Sequence, residues 1–301
     1  MSSSLPKHKI LLPLATSLLF AGSFIAGKYT TADLRPLTIS LLRYIVALVF
    51  LTLLAMVRRS SLSVRFGDLG KLLLLGLFGI VGYHFFFFSA LRHTEVANTA
   101  IINALSPIIT GLMAALFLKE KLSFRSYLGI VIAVVGVIAL LVKGQSQNLL
   151  KLNVGQGDGL MLLAVLSWAI YALLVKTLSK KYSGFCLFFY ATLFGVIMLL
   201  GLAFTEDWIW QIKSVSAASF WSIIYMGAVA SGIGYLLYTM SIGKIGPTRT
   251  SSFVYSLVPI FVAILALFFF DEPITAVMIV SMAGILIGLR LLMAQRPARE
   301  A

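Results

Sequence analysis

Apolar residues run along this chain in long stretches, each closed by a short polar or basic segment. Ten of these stretches, near 10–29, 36–57, 70–91, 95–118, 124–142, 158–178, 184–204, 217–242, 247–270 and 274–294, are long enough to cross a membrane as helices. The measure is a rise of about 1.5 Å per residue against a hydrocarbon core of about 30 Å. The pattern predicts an all-α integral membrane protein with ten transmembrane helices. The first run follows Lys7, His8 and Lys9. It is longer than the apolar region of a secretory signal, and its small-residue pattern at Ala21, Gly22 and Ser23 falls inside the run, so an uncleaved first helix is expected.

The pattern also repeats. SPIITGLMAALFLKEKLS begins at Ser106 and VPIFVAILALFFFDEPIT begins at Val258, so Pro107 pairs with Pro259 and Glu120 with Glu272 at one offset of 152 residues. The chain therefore reads as two copies of a five-helix unit, 10–142 and 158–294, joined by a polar, Gly-rich linker over 143–157. Five is odd, so the second copy enters the membrane from the opposite side. Such inverted repeats supply inward- and outward-open states by exchanging the conformations of two similar halves.

Composition changes little in this picture and charge adds orientation. With 60% hydrophobic and 11% charged residues, a soluble shell could not cover the apolar surface. The net charge of +14 suggests nucleic acid until the basic residues are placed: with the N-terminus inside, 17 fall on inner segments and 6 on outer ones, with Arg43 within a helix. That is the positive-inside bias, and it predicts an inner-membrane protein with both termini cytoplasmic and no nucleic-acid partner. Cys186 is the only cysteine, which excludes an internal disulfide and a cysteine metal cluster.

Two five-helix repeats, each with an Ala-Leu type turn (Ala90 and Leu91; Ser241 and Ile242), a mid-helix proline (Pro107; Pro259) and a terminal Glu (Glu120; Glu272), resemble the EamA family of the drug/metabolite transporter superfamily. The likeness covers about residues 10–294. It implies export or exchange of small metabolites, often amino acids, with related branches moving nucleotide sugars, phosphorylated sugars or drugs.

The expected pathway lies in helices 1 to 4 and 6 to 9, since helix 5 has no polar side chain along GIVIAVVGVIALLV and helix 10 carries Gly284 and Gly288 at GxxxG spacing. Those two helices read as lipid-facing covers, with a homodimer contact through Gly284 and Gly288 as one use of the motif. The ten acidic residues all sit at helix ends, in loops or in tails, so the midplane carboxylate of a proton-coupled cationic-drug antiporter is absent from the sequence pattern. Asn103 lies on a stripe with Thr99, Ser106 and Thr110, interrupted by Pro107, and helix 9 repeats the theme at Ser252, Tyr255, Ser256 and Pro259. Such stripes serve as interhelical glue or as ligand contacts.

Arg43, His84 and Asn103 each lie about 7 residues, or about 10 Å, from the outer ends of their helices. Offsets of 147, 151 and 152 carry them onto Tyr190, Tyr235 and Tyr255, which predicts a second polar layer toward the cytoplasmic side. Arg43 reads either as the group that holds a substrate's carboxylate or phosphate or as a structural arginine serving helix-end carbonyls. His84 reads as a neighbour of that site, as the one intramembrane group able to carry a proton near neutral pH, or as a hydrogen-bonded interhelical residue. Trp168 stands mid-helix and is a candidate wall of the path. Glu120 and Glu272 read as caps or gate latches, with Pro107 and Pro259 beside them in a gating or structural role.

Neither a phosphate loop, an HExxH motif nor a nucleophile elbow occurs, and His8, His84 and His93 are too scattered in depth for a metal site. No cofactor and no metal is expected. The reading that results is a permease, not an enzyme, for a small-molecule, amino-acid-like metabolite, with membrane lipid around it. A carrier of nucleotide-type or phosphorylated-sugar metabolites is the alternative substrate class. A membrane-embedded transferase using His84 or Asn103, or a scaffold, is the alternative of another class, and neither needs an inverted pair of halves.

Overall fold

The computed structural model describes residues 7–119, 122–141, 155–245 and 247–293, so Glu120 and most of the linker lie outside it. The described residues form a helical bundle of α1 (Lys7–Asp33), α2 (Pro36–Arg58), α3 (Phe66–His93), α4 (Val96–Phe117) and α5 (Phe124–Leu141), followed by α6 (Gln156–Leu178), α7 (Gly184–Glu206), α8 (217–245), α9 (Pro247–Phe270) and α10 (Ala276–Met293). Among the described residues nine helices, α1 to α9, are long and apolar enough to cross a membrane, and α10 falls short of that length. A short helix, Trp208–Lys213, which the hydropathy pattern does not announce, links α7 to α8.

The boundaries follow local chemistry. Pro36 stands in the first turn of α2, where a missing N–H costs nothing, and Ser183 and Ser216 cap α7 and α8 by accepting from the N–H groups of Cys186 and Ser219. In α4 the helix breaks at Ala104 and Leu105 and restarts at Ser106, with Pro107 in the new first turn. Pro259 instead sits within an unbroken α9, so the two matched prolines have different effects on their helices.

Two helices widen into π turns at matching places, Gly76–Gly82 in α3 and Tyr225–Gly234 in α8. Glycines let each widened stretch press on the helix it crosses. A Cβ on Gly76 would come 2.8 Å from the backbone N of Gly195 in α7, and one on Gly227 would come 2.7 Å from the carbonyl O of Arg43 in α2.

The packing is paired in the same way. Helix α1 lies against α8 and α9 while α6 lies against α3 and α4, α2 meets α8 while α7 meets α3, and α5 and α10 pack chiefly on each other. Gly129 and Gly136 of α5 face Gly288 and Gly284 of α10, and a Cβ on Gly129, Gly136 or Gly288 would come 2.5, 2.9 and 2.3 Å from a backbone carbonyl O of the other helix. The GxxxG face of α10 is thus covered by α5 of the same chain, and a homodimer through that face would first have to displace it.

Polar contacts gather at the two ends of the bundle. At the α1–α2 end, Glu206 accepts from the backbone N–H groups of Leu37 and Thr38 at 3.1 and 2.8 Å, and Glu272 from those of Val96 and Ala97 at 3.0 and 3.2 Å. Each carboxylate thereby closes the N-terminus of a helix from the other half of the chain. Asp33 similarly accepts from the backbone and hydroxyl of Ser216, and Lys28 donates to the carbonyls of Leu91 and Thr94 at 2.7 and 3.1 Å. At the opposite end Asp68 accepts from Lys181 at 3.0 Å and Tyr182 at 2.8 Å.

Candidate functional site

Between these ends a set of polar and aromatic side chains converges. Arg43 leaves α2 seven residues after Pro36 and is buried, at 8% exposure. Its Nε and Nη2 donate to Ser231 Oγ of α8 at 3.3 and 3.1 Å, Nη1 approaches Met226 Sδ at 3.9 Å, and the guanidinium stands 5.6 Å from the Tyr44 ring centroid. Among the described residues no carboxylate pairs with it. A buried guanidinium without an anion is costly, by about 2.5–3.5 kcal/mol on insertion scales, so its retention at this depth asks for a use.

His84 is buried beside it, but both of its ring nitrogens are engaged. The Tyr44 hydroxyl lies 2.9 Å from Nε2, and Nδ1 lies 3.2 Å from the carbonyl of Ile80. A proton on Nδ1 satisfies the pair of bonds, with Tyr44 donating to Nε2. His84 therefore braces Tyr44, and through it the base of Arg43, rather than presenting a free edge. Next along α3, Tyr83 donates to Asn103 Oδ1 at 3.2 Å, and Ser106 reaches the same oxygen at 3.2 Å. Tyr83 of α3 and Ser106, just past the break in α4, thus share one acceptor on Asn103.

An aromatic wall continues from there. The ring of Tyr83 lies 5.1 Å from Trp168, and Trp168 lies 4.9 Å from Tyr171, both on α6. Tyr255 of α9 stands beside Trp168. Tyr83, Asn103, Trp168 and Tyr255 all keep partial solvent access although they sit mid-helix and face one another. Side chains from α2, α3, α4, α6, α8 and α9 thus form one chain of contacts that runs from the Arg43 cation to aromatic faces.

The structure divides the sequence-predicted residues. Arg43, His84, Asn103, Trp168 and Tyr255 come together, whereas Tyr190 and Tyr235 stand apart. Tyr190 donates to the carbonyl of Leu62 in the α2–α3 loop at 2.8 Å, and Tyr235 to that of Gly184 at 2.9 Å. Tyr235 instead borders a small cleft between α2, α7 and α8, with Leu51, Arg58 and Gly232 among its walls. Glu272 caps α4 away from the cluster, and Glu120 lies outside the described residues. Sequence reading missed Ser231, Met226, Tyr44 and Tyr83. The signal for Tyr44 and Tyr83 was adjacency to Arg43 and His84, while Ser231 carried none.

Polar and aromatic side chains brought together between many membrane-spanning helices are what a membrane transporter requires. A family model described as the EamA-like transporter family matches residues 8–142 and again 155–294. The chain belongs to the EamA-like transporter family, as a multi-pass membrane protein. Relatives include the uncharacterized transporter YyaM of Bacillus subtilis, 25% identical over 92% of this chain and 91% of its own. An uncharacterized transporter of Archaeoglobus fulgidus is 27% identical over 94% of this chain and 98% of its own. A probable terminal-alkyne amino-acid exporter of Streptantibioticus cattleyicolor is 23% identical over 65% of this chain and 64% of its own. A solved structure, described only as a crystal structure of a protein, superposes with a TM-score of 0.62 at 18% identity over 95% of this chain and 96% of its own, a likeness of fold.

Proposed function

We propose that the protein is an alternating-access permease of the cell membrane that exports a small, amino-acid-like metabolite, gripping its carboxylate with Arg43. The observation that carries this reading is the buried guanidinium of Arg43, which no carboxylate among the described residues pairs with. Asn103 and the wall of Tyr83, Trp168 and Tyr255 take the remainder of the molecule. Supporting the outward direction is the exporter named among the relatives. Both termini are cytoplasmic in this proposal, on the strength of the 17 to 6 bias in basic residues.

The halves act as two inverted five-helix repeats, 10–142 and 158–294, joined by 143–157. Supporting that arrangement are the twofold match of the family model, the paired packing of helices and the π turns at corresponding places in α3 and α8. The guanidinium fork would serve a phosphate as well, so phosphorylated sugars remain the competing cargo. Thermal stability of the purified protein against a metabolite library separates the two classes, because a ligand at a hundred times its Kd stabilises by about 2.7 kcal/mol. Stabilisation by amino acids that Arg43→Gln abolishes supports the reading. Stabilisation by phosphate esters alone would replace it with the competing one.

A further inference from the structure

Arg43 has a partner that the transport reading does not explain. The Nε and Nη2 hydrogens share one edge of the guanidinium, and both go to Ser231 Oγ, at 3.3 and 3.1 Å. That edge is one a carboxylate grips with two parallel bonds, each about 2.7–2.9 Å long. A neutral hydroxyl shared by two donors at longer range is a loose occupant of a place shaped for an anion. At the remaining corner Nη1 meets only the sulfur of Met226, a weak acceptor.

Ser231 and Met226 both belong to the π stretch Tyr225–Gly234 of α8, and Gly227 of that stretch is the point pressed against the Arg43 backbone. Short π stretches within α-helices are concentrated at functional sites. One side chain therefore ties the arginine of α2 to the irregular part of a helix from the other half of the chain.

We infer that Ser231 is a stand-in for the substrate's anionic group, holding the carboxylate-gripping edge of Arg43 until a carboxylate displaces it and frees the π stretch of α8 from that tie. This rests on the reading of Arg43 as the anion site. Ser231 is a positioning residue, acting through Arg43, and it makes anion arrival on one half of the protein felt by the other.

The test uses acetate as the probe, with chloride at matched ionic strength as the control, and follows thermal stability and backbone hydrogen exchange over 225–234. Ser231→Ala removes the competitor, so the half-maximal acetate concentration should fall roughly ten-fold, the scale of one hydrogen bond to a charged group. Ser231→Thr should restore the wild-type value, which a merely structural serine would not require. Ser231→Asp supplies a tethered carboxylate and should remove the acetate response while the protein stays folded. In the wild type, acetate should speed exchange over 225–234. Equal acetate responses in wild type and Ser231→Ala, both lost in Arg43→Gln, would leave Arg43 as the anion site and overturn the role of Ser231. Equal responses in all three, or none in any, would overturn the Arg43 site itself. Weaker acetate binding in folded Ser231→Ala would also overturn the inference.

Discussion

Arg43 shows how depth decides what a side chain is for. In water its charge is free of cost, but at 8% exposure inside the bundle the charge must be answered, and here a serine hydroxyl and a methionine sulfur answer it incompletely. Arg43→Lys keeps the charge and loses the fork. It should weaken carboxylate binding by about ten-fold or more, the scale of losing one charge-assisted bond, without lowering the melting temperature of the apo protein. Unchanged transport in both Arg43→Lys and Arg43→Gln would rule Arg43 out as the cargo contact. Arg43 and Asn103 were legible in the sequence because a charge or an amide inside an apolar run is conspicuous. Ser231 was not, because a serine in GAVASGIG reads like any small residue of a packed helix. Its meaning comes from the π turns, which alter the rotation of α8 and aim the hydroxyl at α2, and no residue pattern announces that phase. Tyr190 and Tyr235 lie away from the Arg43 cluster. Their offsets from Arg43 and His84 are real, but an offset does not say that the carbonyls of Leu62 and Gly184 will be waiting for their hydroxyls.

At the scale of helices, several of the hydrogen bonds that cross between halves run from helix N-termini to carboxylates. A helix start offers unpaired N–H groups and a partial positive charge, and Glu206 and Glu272 use both from a distance of more than 160 residues along the chain. Glu272→Ala should lower stability by about 1 kcal/mol, the usual scale of a lost cap. Cargo affinity should barely change, because α4 is touched only at its first turn. A folded Glu272→Gln protein that no longer binds cargo would contradict the capping role. The spans were legible from hydropathy to within a few residues, because lipid leaves a long apolar helix little alternative. The linking helix Trp208–Lys213 was not, since six residues cannot carry a periodic signal. The partner of Gly284 and Gly288 was also illegible: a GxxxG face specifies close approach, and only the fold decides whether the approaching helix is α5 or another copy.

At the scale of the whole molecule, orientation rests on where basic residues collect. In a Cys186→Ser background, cysteine at Ser214 should react with an impermeant thiol reagent applied outside, whereas cysteine at Ser60 or Lys180 should not. The reverse labelling would turn the protein over in the membrane.

Because α5 and α10 pack chiefly on each other and press backbone to backbone at Gly129, Gly136 and Gly288, one flank of the bundle is a helix pair whose seam leaves no room for a side chain at those three positions. Lipid is as apolar as the helices and supplies no drive to join them, so close packing has to hold the pair together. Gly288→Leu should therefore wedge the flank open and lower the melting temperature, and an unchanged melting temperature would mean that the seam yields without strain.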